Sequence, residues 1–182
     1  KNTSPEECEQ IVKYVMSNRD KSIGIITPFV NQKNLINDAL EEHGIENVTC
    51  GTVHAFQGDE KDTILFSLAL TDKTHQKTYD WLKGNRELIN VAVSRAKKKL
   101  ILLASTVNLE RLHTGTDEDD LYELVEYVRT NGESRVTGLH TNSRALGIKP
   151  FSTETEEAFL MSLNHALGNV HLGRRQYKIE KE

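Results

Sequence analysis

Gly51-Thr52-Val53-His54-Ala55-Phe56-Gln57-Gly58-Asp59-Glu60-Lys61-Asp62, followed by the apolar run Thr63 to Leu70, decides how this chain folds. A polar, glycine-bearing turn feeds a strand whose residues are apolar without alternation. That pattern belongs to a strand covered on both faces, as in a parallel sheet. Downstream, Leu88-Ile89-Asn90-Val91-Ala92-Val93-Ser94-Arg95-Ala96-Lys97 reads as part of a helix over Asn85 to Ala96, leading into a strand at Lys99 to Ala104. Upstream, the β-branched run Ser22 to Ile26 reads as a strand that leaves through Thr27-Pro28-Phe29.

The remaining elements continue the alternation. Ser4-Pro5-Glu6-Glu7 combines an N-cap, a first-position proline and first-turn acids, so a helix is predicted to about Asn18, with Ile11, Val12 and Val15 inward. Asn31 to Glu42 shows helical spacing of Leu35, Ile36, Ala39 and Leu40, and Gly44 supplies a C-terminal stop. A strand is predicted at Asn47 to Cys50, a polar loop at Thr71 to Asp80, and a closing helix at Asp119 to Thr130. Right-handed crossovers then give an α/β, doubly wound, mainly parallel sheet. One domain is expected over 1–130. Residues 131–149, rich in Gly, Ser and Thr, read as a linker. Residues 150–182 read as a C-terminal extension, the start of a further domain, with a helix candidate at Glu154 to Leu167.

The chain has 182 residues, 27% of them charged, with a formal net charge of -4. This excludes a uniformly basic nucleic-acid binder but not a local contact track, because distribution matters more than the sum. No apolar run nears the ~20 residues that cross a bilayer, and no signal-peptide pattern opens the chain. Cys8 and Cys50 lie far apart in sequence, which argues against a disulfide framework or zinc site and for a reducing, intracellular setting. The chain opens without Met, which fits a piece of a longer protein.

Ligands of parallel α/β sheets bind beyond the carboxyl ends of the strands, so all three stretches are expected on one edge. Thr27 offers a hydroxyl there and Pro28 no backbone donor; the plainer role is a capped strand-to-helix turn. Thr52 and His54 sit at alternate positions after a strand, which would turn them to one side. Gly58 permits positive φ and close approach of a ligand, or serves an ordinary turn. Arg95 lies near a helix end, where the dipole alone would favour it by well under about 1 kcal/mol. Lys97-Lys98-Lys99 reads as a solvated helix-to-strand turn rather than a phosphate patch, and Trp81 as packing under a loop rather than a base-stacking residue.

In this order the stretches around Thr27, Gly51 to Asp62 and Asn90 to Ala96 resemble motifs IV, V and VI of superfamily 1 helicases, on the branch that includes the nonsense-mediated-decay helicase and its DNA and RNA relatives. The resemblance covers about residues 20 to 105. It implies the second, C-terminal RecA-like domain of an ATP-driven motor with the P-loop NTPase fold. The implied partners are the N-terminal RecA-like domain of the same polypeptide and single-stranded DNA or RNA. ATP and Mg²⁺ would be bound mainly by that first domain. Thr27, Pro28, Thr52 and His54 would touch the nucleic-acid backbone. Gln57 and Gly58 would lie near the terminal phosphate, and Glu60 would accept from a ribose hydroxyl. Arg95 would be an arginine finger on the γ-phosphate, worth roughly 10³ to 10⁵ in rate. The tail from Phe151 resembles the first helix of small nuclease-like domains appended to some bacterial relatives.

A phosphate-binding loop of the form Gly-x-x-x-x-Gly-Lys-Ser/Thr does not occur; Gly168 to Gly173 has the glycine spacing but is followed by Arg174-Arg175. The rival reading is a non-catalytic RecA-like scaffold or nucleic-acid-binding module, which would have little need for both Glu60 and Arg95. On the helicase reading, the 182-residue chain alone is expected to hydrolyse ATP no faster than buffer; metal-dependent phosphate release by the purified chain would count against it.

Overall fold

A computed structural model describes residues 2–56, 60–115, 118–137, 158–164, 171–172 and 177–178. In chain order the elements are α1 (Pro5–Met16), β1 (Ile23–Ile26), α2 (Val30–Glu42), β2 (Cys50–Gly51), a 3₁₀ turn (Val53–Phe56), β3 (Lys61–Ser67), α3 (Gln76–Lys83), α4 (Arg86–Ser94), β4 (Ala96–Ala104), α5 (Thr106–Leu112), α6 (Asp120–Asn131), β5 (Glu133–Thr137), β6 (Ala158–Asn164), β7 (His171–Leu172) and β8 (Tyr177–Lys178).

Six strands form one sheet in the order β2-β1-β3-β4-β6-β5. The first four run parallel, β6 adds antiparallel to β4, and β5 adds antiparallel to β6 at the outer edge. β7 and β8 pair apart from this sheet. The parallel strands are buried on both sides, as the unbroken apolar runs require. On one face Ile23, Ile25, Leu65, Ile101 and Leu103 pack with Ile11 and Val15 of α1 and Ile36 and Leu40 of α2. On the other, Ile64, Phe66, Leu100 and Leu102 pack with the 3₁₀ turn and with α3, α4 and α6. The α/β layering read from the sequence is therefore present, with an antiparallel flank that the sequence reading lacked.

Local signals account for the helix ends. The Ser4 hydroxyl accepts the Glu7 amide at 3.2 Å and Pro5 opens α1, a cap worth about 1 kcal/mol. Gly44 adopts φ 64° just past α2, the left-handed stop that glycine takes without strain. Three expectations are corrected. The stretch Thr71 to Asp80 is not all loop, because α3 begins at Gln76. Glu133–Thr137, read as linker, is a strand. Ala158–Asn164, read inside a helix, is the strand that joins β5 to β4. Its sequence AFLMSLN is an apolar run too short for periodicity to separate helix from strand, and pairing with β4 on one side and β5 on the other decides it.

α1, α2 and β3 are tied by a buried polar chain. Gln32 Nε2 donates to Ser67 Oγ at 3.1 Å, and Ser67 Oγ donates to Glu7 Oε2 at 2.6 Å. The Ala69 amide donates to the same carboxylate oxygen at 3.0 Å, holding a residue with φ 46°. Burial pushes the Glu7 carboxyl up to about 8, outweighing the Ser67 and Ala69 donors, which lower it. The folded value lies above the ordinary 4.5, so Glu7 contributes its full stability below about pH 4.5 and loses it as pH rises through about 8. Glu7→Gln keeps an acceptor for both donors and cannot ionise. It is expected to raise the melting temperature at pH 9 relative to the parent chain and to leave it nearly unchanged at pH 5. An equal effect at both pH values in thermal melts would show that Glu7 is already ionised in the fold.

Candidate functional site

Strand register fixes where each candidate residue lies. Ile23 pairs with Thr63 and Ile26 with Phe66, so β1 and β3 start and finish nearly together. Thr27, Pro28 and Thr52 therefore leave the carboxyl edge of the sheet. Lys61 pairs with Ala96, so Glu60 and Arg95 stand at the amino edge, before β3 and β4 begin. The expectation that all the motifs share one edge is corrected. The segment after Thr52 starts at the carboxyl edge, passes over the sheet through the 3₁₀ turn, and re-enters at the amino edge.

The crossing rests on shape. Val53 and Phe56, three apart, share one side of the 3₁₀ turn and are both 6% exposed. Phe56 lies over Gly24 in the middle of β1. A Cβ at Gly24 would stand 2.8 Å from the Phe56 ring and 2.9 Å from both Ile64 and Lys61. Gly24 is thus needed for close approach, not for backbone conformation. The same turn replaces the strand-like alternation expected for Thr52 and His54. His54 is in the turn, with its side chain outside the described residues, and Gln57 and Gly58 also lie outside them.

At the carboxyl edge Thr27 is fully buried. Its amide donates to the Gly51 carbonyl at 3.1 Å, and its hydroxyl accepts the Phe29 amide at 3.4 Å. Thr27 thereby caps the strand-to-helix turn, the plainer of its two readings. Pro28 and Thr52 are half-buried and flank one another through that amide bond. Trp81 is on α3, not under a loop; it is 52% exposed, with its ring 6.4 Å from that of Phe29.

At the amino edge Arg95 caps the C-terminus of α4, with its amide donating to the Val91 carbonyl. Its own carbonyl accepts the Lys61 amide at 3.0 Å, which places Glu60 and Arg95 on neighbouring strand entries. α4 is held against the sheet by Leu88, Ile89, Ala92 and Val93, all buried. Arg95 Nε and Asn90 Oδ1 are buried among the described residues without a hydrogen-bond partner. Such atoms cost about 1–3 kcal/mol unless a further partner completes them. Asn90 was marked in the sequence only by its spacing from Arg95; no local signal shows that its carbonyl is buried.

Lys97, Lys98 and Lys99 belong to β4, not to a turn. Lys97 stands 3.8 Å from Glu60 and Lys98 2.9 Å from Asp62, and Lys99 lies 6.0 Å from the Tyr14 ring centre. Glu60 is thus half-buried at the start of β3, with a cation beside its carboxylate. Cys8 and Cys50 fall in the same apolar cluster, and burial pushes both thiols up, Cys8 to about 11. Neither is a nucleophile at neutral pH. No helix among the described residues is long and apolar enough to cross a membrane.

Known proteins resemble the first part of the chain. The chain is 37% identical over 105 residues to the DNA replication ATP-dependent helicase/nuclease JHS1 of Arabidopsis thaliana, covering 57% of this chain and 8% of that protein. It is 37% identical over 89 residues to the DNA replication ATP-dependent helicase/nuclease DNA2 of Mus musculus, covering 49% of this chain and 8% of that protein. It is 33% identical over 103 residues to the DNA polymerase alpha-associated DNA helicase A of Schizosaccharomyces pombe, covering 53% and 15%. The chain therefore spans a small part of the relatives it matches. Among solved structures, a precorrin-6y C5,15-methyltransferase from Geobacter metallireducens GS-15 aligns at 13% identity and TM-score 0.43, over 88% of this chain and 76% of that one, a likeness that carries no argument. The family profile for an AAA domain matches residues 3–107, more than half of the sequence, and so the chain belongs to the AAA domain family.

Proposed function

We propose that this chain is the second, C-terminal RecA-like motor domain of an ATP-dependent superfamily 1 nucleic-acid helicase, on the branch that holds the nonsense-mediated-decay helicase. Arg95 carries this reading. Its Nε is a buried donor without a partner among the described residues, at a helix end whose carbonyl meets the residue after Glu60. A buried Nε on a half-exposed arginine suits an anion that approaches the open side of the guanidinium, and the planar fork suits two phosphate oxygens. Asp, Glu, Cys and His among the described residues form no group of three or more that could hold a metal ion. On the helicase reading, Mg²⁺ belongs mainly to the first RecA-like domain with the phosphate-binding loop.

Bound ATP supplies the phosphoryl group whose charge grows during hydrolysis. This chain's residues act around it. Arg95 neutralises developing charge on the transferred group. Glu60 accepts from a ribose hydroxyl, while Gln57 and Gly58 lie near the terminal phosphate. Pro28, Thr52 and His54 form part of a single-strand track at the opposite edge, contacting backbone rather than bases, as a motor that moves along any sequence requires. Thr27 shapes that track by holding the turn. Residues 1–130 form the body of the motor domain, and the extension at 150–182 lends it Ala158–Asn164 as a strand of the same sheet. The names of the relatives, all ATP-dependent or DNA helicases, support this assignment without fixing DNA or RNA as the strand.

Arg95→Ala in the full-length parent is expected to lower kcat of nucleic-acid-stimulated ATP hydrolysis roughly 10³-fold or more, with a much smaller change in nucleotide affinity. Folding should be nearly intact, because Nε has no hydrogen bond within the described residues to lose. Arg95→Lys should rescue poorly. Glu60→Ala should weaken nucleotide binding by about tenfold, the value of one hydrogen bond to a charged acceptor, with less effect on kcat. Normal turnover by Arg95→Ala together with a small loss of thermal stability would identify Arg95 as a helix cap only.

A further inference from the structure

Four large hydrophobic side chains are exposed among the described residues: Met16, Val30, Trp81 and Val107. Three of them gather at the carboxyl edge. Val30 opens α2 directly after β1, Val107 stands in the first turn of α5 directly after β4, and Trp81 touches Phe29. The amino edge instead presents Glu60, Lys61, Asp62, Lys97 and Lys98. Apolar exposure is therefore concentrated beside the Pro28 and Thr52 turns.

Trp81 cannot turn inward. Tyr79 and Leu82 on the same helix are fully buried, and the Tyr79 hydroxyl donates to Asp119 Oδ2 at 2.6 Å, so the rotation of α3 is fixed. Phe29, 9% exposed and tilted 42° to the indole, braces it from below. Lys77 lies one turn earlier on the same face of α3 and is exposed. The carboxylate between them in sequence, Asp80, is engaged by Gln76 Nε2 at 3.0 Å and lies 3.7 Å from Lys83 Nζ. A rigid, half-exposed indole with a cation one turn away is the combination that receives an unpaired base and its phosphate. Exposed Lys77 beside the indole matches the phosphate of a strand, a charge complement that an apolar protein contact would not use.

We propose that Trp81, braced by Phe29, stacks on one base of a single strand and that Lys77 takes an adjacent phosphate. This rests on the single-strand track of the preceding section and adds to it a contact that reads a base face. It also gives the strand a fixed point against which the Thr52 turn can be displaced.

Trp81 is the single tryptophan of the chain, so its emission reports this site alone. The 182-residue chain is titrated at low salt with (dT)12 and with a 12-nucleotide abasic strand of equal charge. Quenching by (dT)12, little quenching by the abasic strand, and tighter binding of (dT)12 are expected. Binding of each variant is followed by anisotropy of a labelled strand. Trp81→Ala should weaken (dT)12 binding by about 10-fold, Trp81→Phe should retain most of it, and neither should alter abasic binding. Lys77→Gln should lower the log–log salt slope by about 0.7. Equal binding of both strands with no response to Trp81→Ala overturns the stacking proposal and leaves the backbone track intact. Binding of neither strand overturns both. A concentration-dependent emission shift without nucleic acid, abolished by Trp81→Ala, assigns the face to a second copy of this chain and also overturns the proposal.

Discussion

The parallel pairing of β3 with β4 is the constraint from which the site follows. One hydrogen bond, from the Lys61 amide to the Arg95 carbonyl, joins the end of a polar loop to the end of a helix. It brings Glu60 and Arg95, distant in sequence, to adjacent strand entries. Burial enforces the register: Ile64 to Ser67 and Leu100 to Leu103 are apolar or fully buried on both faces, and a slip by one residue would interchange the two cores. The position of the candidate finger is thus a property of the core rather than of the loop that precedes it.

A second constraint separates the two edges. Gly24 leaves room for Phe56 to lie on the sheet, and the chain uses that space to cross from the Thr52 turn to Glu60. A single connection therefore touches both edges. On the proposed function this offers a physical route for coupling: displacement of the Thr52 turn by a strand would be felt through the packed Val53–Phe56 turn at the nucleotide edge. Packed interiors respond as discrete rearrangements rather than by bending, so a short, well-packed turn is suited to carry such a signal.

Much of the fold was legible because local signals and burial agreed. Ser4-Pro5 started α1, Gly44 ended α2, and unbroken apolar runs marked β1, β3 and β4 as interior parallel strands. The edge assignment was not legible, because the rule that ligands sit beyond carboxyl ends does not say that a loop leaving one edge re-enters at the other. The burial of Thr27 was not legible either: a hydroxyl after a strand gives no sign of the Phe29 amide that it accepts. Trp81 hid in a polar stretch whose helical character comes from Tyr79 and Leu82 packing, not from propensity. The antiparallel flank was missed because AFLMSLN is compatible with either period. Arg95 was found by its motif, while the orphaned Asn90 carbonyl beside it carries no sequence signal.

The central claim is that nucleotide and single strand occupy opposite edges of one sheet. Photolabelling tests it directly in the intact parent protein, using azido-ATP and an iodouracil-containing single strand, with peptide mapping of the adducts. Nucleotide adducts are expected around Glu60–Lys61 and Arg95–Lys97, and strand adducts around Pro28–Val30, Thr52 and Trp81. Adducts of both reagents confined to one edge, or exchanged between the edges, would contradict it.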